Sequence, residues 1–105
     1  MKKHNILSDL PGDLSQEVFE PIVKTDTVLI ERIISKAHVT PKGQWYDQAH
    51  SEWVMVMQGA ATLEFVDGEQ VELTVGEHIN IGANVKHRVA WTSEEVETIW
   101  LAVHY

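Results

Sequence analysis

Between Ala61 and Val75, apolar and polar residues alternate in two runs that are broken only by Asp67-Gly68. In the first run Leu63 and Phe65 oppose Thr62 and Glu64. In the second, Val71, Leu73 and Val75 point inward. A repeat of two puts one side of an extended chain in a core and the other in water. Asp-Gly between two such runs predicts a hairpin closed by a type I′ turn, which needs positive φ at both central positions. Other segments read the same way. Thr27 to Ser35 is apolar on both faces, as expected of a strand covered on both sides or lying in a dimer interface. Trp53 to Met57 is a continuous apolar strand that stops at Gln58-Gly59, with Met55 and Met57 expected in the core or in an adaptable pocket. His78 to Ile81 is a short strand. Lys86 to Trp91 puts His87, Val89 and Trp91 on one side, and Thr98 to Tyr105 groups Ile99, Leu101 and Val103. Turns are expected at Thr40–Gly43, Gly76-Glu77 and Gly82–Asn84, and a polar loop at Thr92–Glu97. Leu14 to Ile22 is ambiguous, and Pro21 argues against a long helix there. Short strands at this spacing predict an all-β sandwich or barrel of roughly eight to ten strands.

A chain of 105 residues is expected to be one domain, 1–105. At that size added burial by homodimerisation would help. With 44% hydrophobic and 23% charged residues the composition is that of an ordinary globular protein. No apolar run reaches the roughly 20 residues of a membrane helix, so no membrane partner is expected. The N-terminus has no secretory pattern, which favours the cytoplasm. There is no cysteine, hence neither disulfides nor thiolate metal sites. The net charge is −8 and no Lys/Arg cluster appears, which argues against nucleic acid as a partner. No nucleophile elbow or phosphate-binding glycine loop is present.

The layout resembles the cupin superfamily of small jelly-roll β-barrels, also described as double-stranded β-helices. The family's first motif is G-x5-H-x-H-x3–4-E-x6-G. Gly43 opens it here, Glu52 supplies the acid, and Trp53 to Gln58 precede Gly59. The second is G-x5-P-x-G-x2-H-x3-N. Gly76 opens it, Gly82 stands for Pro, Asn84 for Gly, His87 matches the His, and Trp91 takes the terminal Asn position. The His-x-His is absent. With three spacers its positions hold Tyr46 and Gln48, and with four they hold Trp45 and Asp47. The chain is thus similar to cupins with a Tyr-Asp-Gln run before Glu-Trp-Val. Metal-bearing cupins bind a divalent ion through two histidines, a glutamate and a third histidine, and of these Glu52 and His87 carry over.

Glu52 heads an apolar strand, so its carboxylate must be paired, hydrogen-bonded, protonated or metal-bound if it faces inward. His87 alternates with apolar residues and can ligate through one nitrogen while the other donates a hydrogen bond. On an extended strand Gln48, His50 and Glu52 would point the same way. Gln48, His50, Glu52 and His87 are therefore the candidate metal ligands, for Zn, Fe, Mn or Ni. A bend between Gln48 and Glu52 would instead put His50 on the rim, and Asp47 is expected to face outward. Tyr46 is the candidate substrate contact or proton donor. His4 and His78 read as surface residues and His104 as a rim residue. Two functions are compatible with this set. One is a metal-dependent enzyme, an oxygenase, isomerase or relative, acting on a small polar metabolite. The other is a metal-free binding or sensor module for a sugar or other small metabolite, in which Glu52 and His87 simply bond each other or a ligand.

Overall fold

The computed structural model describes residues 1–105. Its eight strands are, in chain order, β1 (Val18–Lys24), β2 (Leu29–Ser35), β3 (Glu52–Gln58), β4 (Ala60–Phe65), β5 (Gln70–Thr74), β6 (His78–Ile81), β7 (His87–Thr92) and β8 (Thr98–His104). They form a five-stranded sheet, β1-β2-β8-β3-β6, and a three-stranded sheet, β5-β4-β7, with every pairing antiparallel. This is an all-β architecture, as the alternation predicts, with two facing antiparallel sheets as in the jelly roll that the resemblance implies. The inner faces meet in one core that includes Ile33, Val54, Val56, Leu63, Phe65, Leu73, Ile81 and Trp100.

Several local expectations are corrected. Asp67-Gly68 does close the β4–β5 hairpin, but not through a type I′ turn. Gly68 has φ of 95° whereas Asp67 is not in the positive region. Gly68 N donates to Phe65 O, Phe65 N donates to Glu69 O, and Asp67 Oδ1 accepts from Glu69 N. That is a three-residue loop: a type I turn followed by a glycine bulge. The turn after β5 starts one residue early, so Val75 is exposed. Trp91 is also exposed, because Thr62 pairs with Trp91 and Leu63 with Val89. Ala90 is therefore an extra residue in β7, and a bulge of one residue reverses the face on which the next side chains lie. Thr92, expected in a loop, is the buried end of β7. Met55 and Met57 are only half-buried and lie outside the core. Pro21 falls in β1, an edge strand with an irregularity between Pro21 and Val23, where a missing N–H is tolerated.

Two arginines tie the non-strand segments to the sheets. Arg32 donates to the carbonyls of Ile6, Ser8 and Asp9 and pairs with Glu20, which holds the N-terminal segment against β2. Arg88 pairs with Glu64 and donates to Thr40 O, and Thr40 N donates to Val89 O. The segment before β3 is thereby laid along β7.

The β3–β4 connection depends on Gly59. Its φ is 84°, and a Cβ there would lie 2.6 Å from Thr98 Oγ1 and 2.9 Å from Thr98 Cα. Gly68 also has positive φ, but no atom lies near its would-be Cβ. Gly59→Ala is therefore expected to lower stability by about 3 kcal/mol or more, against about 1–2 kcal/mol for Gly68→Ala, as read by urea unfolding. Equal losses would refute the steric account.

Candidate functional site

Strand register assembles the site. β3 and β8 pair Glu52 with His104, and directly opposed residues share a face. β2 and β8 pair Leu29 with His104 and Glu31 with Ala102, so Glu31 falls on that same inner face, diagonal to His104. From the other sheet, Tyr46 and His87 exchange both backbone hydrogen bonds, 2.7 and 3.1 Å, and their rings stack with centroids 5.6 Å apart. These residues surround a cavity of about 90 Å³ that Gln48 also lines. Its apolar walls include Ile33, Val54, Leu63, Ile81 and Trp100, and three carboxylates reach it, from Glu17, Glu31 and Glu52. No lysine or arginine does.

The polar groups touch as a chain. Glu31 Oε1 lies 2.8 Å from His104 Nε2, His104 Nε2 lies 3.3 Å from Glu52 Oε2, and Glu52 Oε1 lies 3.5 Å from His87 Nε2. Each imidazole is fixed from behind. His87 Nδ1 lies 2.9 Å from Val85 O, and a carbonyl only accepts, so Nδ1 carries a proton and Nε2 is the nitrogen turned to Glu52. His104 Nε2 donates to Glu31, and His104 Nδ1 faces His50 Nε2 at 3.0 Å. Burial works against protonation of His87, but the hydrogen bond to Glu52, the bond to Val85 and the charge of Glu52 outweigh it, so its pKa is raised. Burial pushes the Tyr46 phenol up, and the charges of Glu17 and Glu52 add to this against a lowering hydrogen bond with Thr40. Tyr46 therefore keeps its proton at neutral pH. Glu17 is held by the hydroxyl of Ser35, which in turn accepts from Trp100 Nε1.

Of the residues singled out in the sequence, Tyr46, Gln48, Glu52 and His87 all line the cavity. His50 does not. The chain bends at Ala49–His50, and His50 is exposed, behind His104. Asp47, His4 and His78 are exposed as expected. His104 takes the place foreseen for His50, and its side chain is only 11% exposed. Alternation held the signal, because His104 shares a face with Ala102 and Trp100. The competing set Ile99, Leu101 and Val103 is just as apolar, yet it lies on the outer face of the sheet. Glu31 was likewise missed inside an apolar run.

The fit to a divalent ion can be tested on these contacts. The donors are of a suitable kind: two imidazoles with their far nitrogens fixed, and carboxylates beside them. Their arrangement is not suitable. No group of three or more His, Asp or Glu side chains is placed to hold one ion. Glu52 turns a different oxygen to each imidazole, so the contacts run in a line and do not close around a centre.

Comparison with known proteins agrees with the fold. A family model described as Cupin domain matches residues 36–104. A crystal structure of a provisionally assigned mannose-6-phosphate isomerase from Ralstonia eutropha JMP134 is 38% identical, with a TM-score of 0.94 over 99% of this chain and 97% of that one. A cupin superfamily protein from Desulfitobacterium hafniense DCB-2 is 14% identical, with a TM-score of 0.74 over 90% and 82%. The FeII HppE structure is 13% identical, with a TM-score of 0.74 over 91% of this chain and 53% of that chain. No curated protein matches the chain.

His87 is expected to titrate above the ordinary histidine value of about 6.5 in an NMR titration, and at a lower value in Glu52→Gln, where only the bond to Val85 still opposes burial. Because the folded-state value is raised, its contribution to stability is fully present below about pH 6.5 and is lost as pH rises through the folded value. A stability difference between wild type and Glu52→Gln that grows with pH would contradict this.

Proposed function

The chain belongs to the cupin domain family, and from that premise we propose that it is a small-molecule enzyme whose barrel cavity moves a proton on an uncharged hydroxycarbonyl compound. The observation that carries this is a buried carboxylate, Glu52, facing two oriented imidazoles at the wall of a small cavity that no lysine or arginine reaches. The similarity to a provisionally assigned mannose-6-phosphate isomerase supports an isomerisation, for which we take proton transfer next to a carbonyl as the reaction class. It does not support a phosphorylated substrate. A phosphate dianion needs cationic or backbone N–H partners, and here it would meet three carboxylates. At about 90 Å³ the cavity is also well below the roughly 300–1,000 Å³ of ordinary ligand pockets.

In this reading Glu52 takes the proton from the carbon next to the carbonyl. Tyr46, protonated at neutral pH, donates a hydrogen bond to the carbonyl oxygen as negative charge develops there. His87 holds Glu52 in place and stabilises its charge, and His104 does so from the other side, backed by His50. Gln48 orients a hydroxyl. The apolar walls keep water from competing for these groups. The half-buried outer face at Ile30, Met55, Leu101 and Val103 supports a homodimer as part of the same proposal.

A second reading keeps the metal-dependent enzyme. It is favoured by one observation, that Glu52 faces two imidazole nitrogens whose partners leave them directed inward. Under it Glu52, His87 and His104, with Gln48, would have to turn from their present line to become the ligands of a Zn, Fe, Mn or Ni ion.

Deuterium exchange at the carbon-bound hydrogens of dihydroxyacetone, followed by NMR, separates these readings. The proton-transfer reading expects exchange above the buffer rate, insensitive to chelator, that falls about 100-fold or more in Glu52→Gln. A stoichiometric ion in protein purified without a tag, lost in His87→Ala together with activity, would establish the metal-dependent reading. Binding with exchange only at the buffer rate would leave the metal-free binding or sensor module.

A further inference from the structure

The inner cavity does not stand alone. A second chamber of about 210 Å³ adjoins it, walled by Trp45, Pro41, Thr40 and Gln44 together with Glu17, Tyr46 and Val89. These last three residues line both spaces. Val89 belongs to β7, whereas Glu17 and Tyr46 lie outside the eight strands. Together the two volumes come to about 300 Å³, which reaches the lower bound of ordinary ligand pockets.

The two chambers differ in chemistry. The inner one holds the Glu31–His104–Glu52–His87 chain of polar groups. The outer one holds an indole, a proline ring and Val39 and Val89, with Glu17, Thr40, Gln44 and the Tyr46 phenol as its polar groups. Trp45 is half-buried and lies one residue before the backbone bridge that fixes Tyr46 to His87. Its main chain is thus tied to the rigid barrel, and a flat partner can stack on its ring at little entropic cost. Glu17 stands at the junction, fixed by Ser35, and opposes any anionic group there.

We infer that the ligand is elongated, with its hydroxycarbonyl head in the inner cavity and a flat apolar or aromatic ring in the outer chamber against Trp45. Trp45 is then a specificity-determining residue. This rests on the reading of the inner cavity as the site of the head group, and the experiment keeps the two apart.

Two probes serve: hydroxyacetone, which is a head alone, and 2-hydroxyacetophenone, which adds a phenyl ring. Their affinities are read from ¹H–¹⁵N NMR titrations, with the Trp45 indole signal assigned by its loss in Trp45→Phe. The phenyl ring is expected to tighten binding about tenfold or more. Trp45→Ala removes that gain and leaves hydroxyacetone unchanged, whereas Trp45→Phe retains much of it. Gln44→Trp, at an exposed position on the chamber's edge, fills the space and removes the gain without deleting the indole. Hydroxyacetone binding with no gain from the phenyl ring, or a gain that survives Trp45→Ala, overturns the two-chamber inference and leaves the inner site standing. Binding of neither probe overturns both.

Discussion

The antiparallel pairing of β3 with β8 is the constraint on which the site rests. It sets Glu52 opposite His104, and the β2–β8 pairing brings Glu31 to the same face. A slip of one residue in the β3–β8 ladder would put Glu52 and His104 on opposite faces, and one in the β2–β8 ladder would do the same to Glu31 and His104. The register is held by the core itself, since Val54, Val56, Ala102 and Trp100 alternate with the outward residues on the same two strands. Hydrophobic burial thus specifies the alignment, and the polar cluster comes with it.

Placing two nearly buried carboxylates beside each other costs solvation, and the imidazoles offset it. Glu31 and Glu52 are 7% and 8% exposed, and each faces at least one histidine nitrogen. No buried side-chain polar atom is left without a partner. Such a network is costly to break at any one member, because the remaining charge is left unpaired in a low dielectric. It also explains why a cupin can lack the His-x-His and still keep a polar centre. His104, from the last strand, supplies an imidazole from a direction that the two family motifs do not describe.

The same cluster narrows the chemistry. Three carboxylates and no lysine or arginine line the cavity, and this electrostatic environment opposes anionic ligands. The tether between Arg88 and Thr40 and the Tyr46–His87 bridge hold the segment that walls both chambers. The fold uses this segment, outside any of its eight strands, to define what the cavity accepts.

Much of the architecture was legible without coordinates. Alternation and short apolar runs located seven of the eight strands, and the resemblance to the two motifs, carried by Gly43, Glu52, Gly59, Gly76 and His87, implied the cupin barrel. Glu52 and His87 could be named because they match the acid and the histidine of the two motifs, and because a polar group in an apolar strand has to be satisfied. The features that escaped were those of parity. The bulge at Ala90 reversed Trp91, and the bend at His50 removed it from the line of Gln48 and Glu52. On β8 both faces are apolar, so nothing in the local pattern tells Trp100 and His104 from Leu101 and Val103. Local chain order determines period, turn positions and which residues alternate. Which of two apolar faces looks inward depends on strand neighbours distant in the chain. For that reason only the tertiary structure could bring His104 and Glu31 to Glu52.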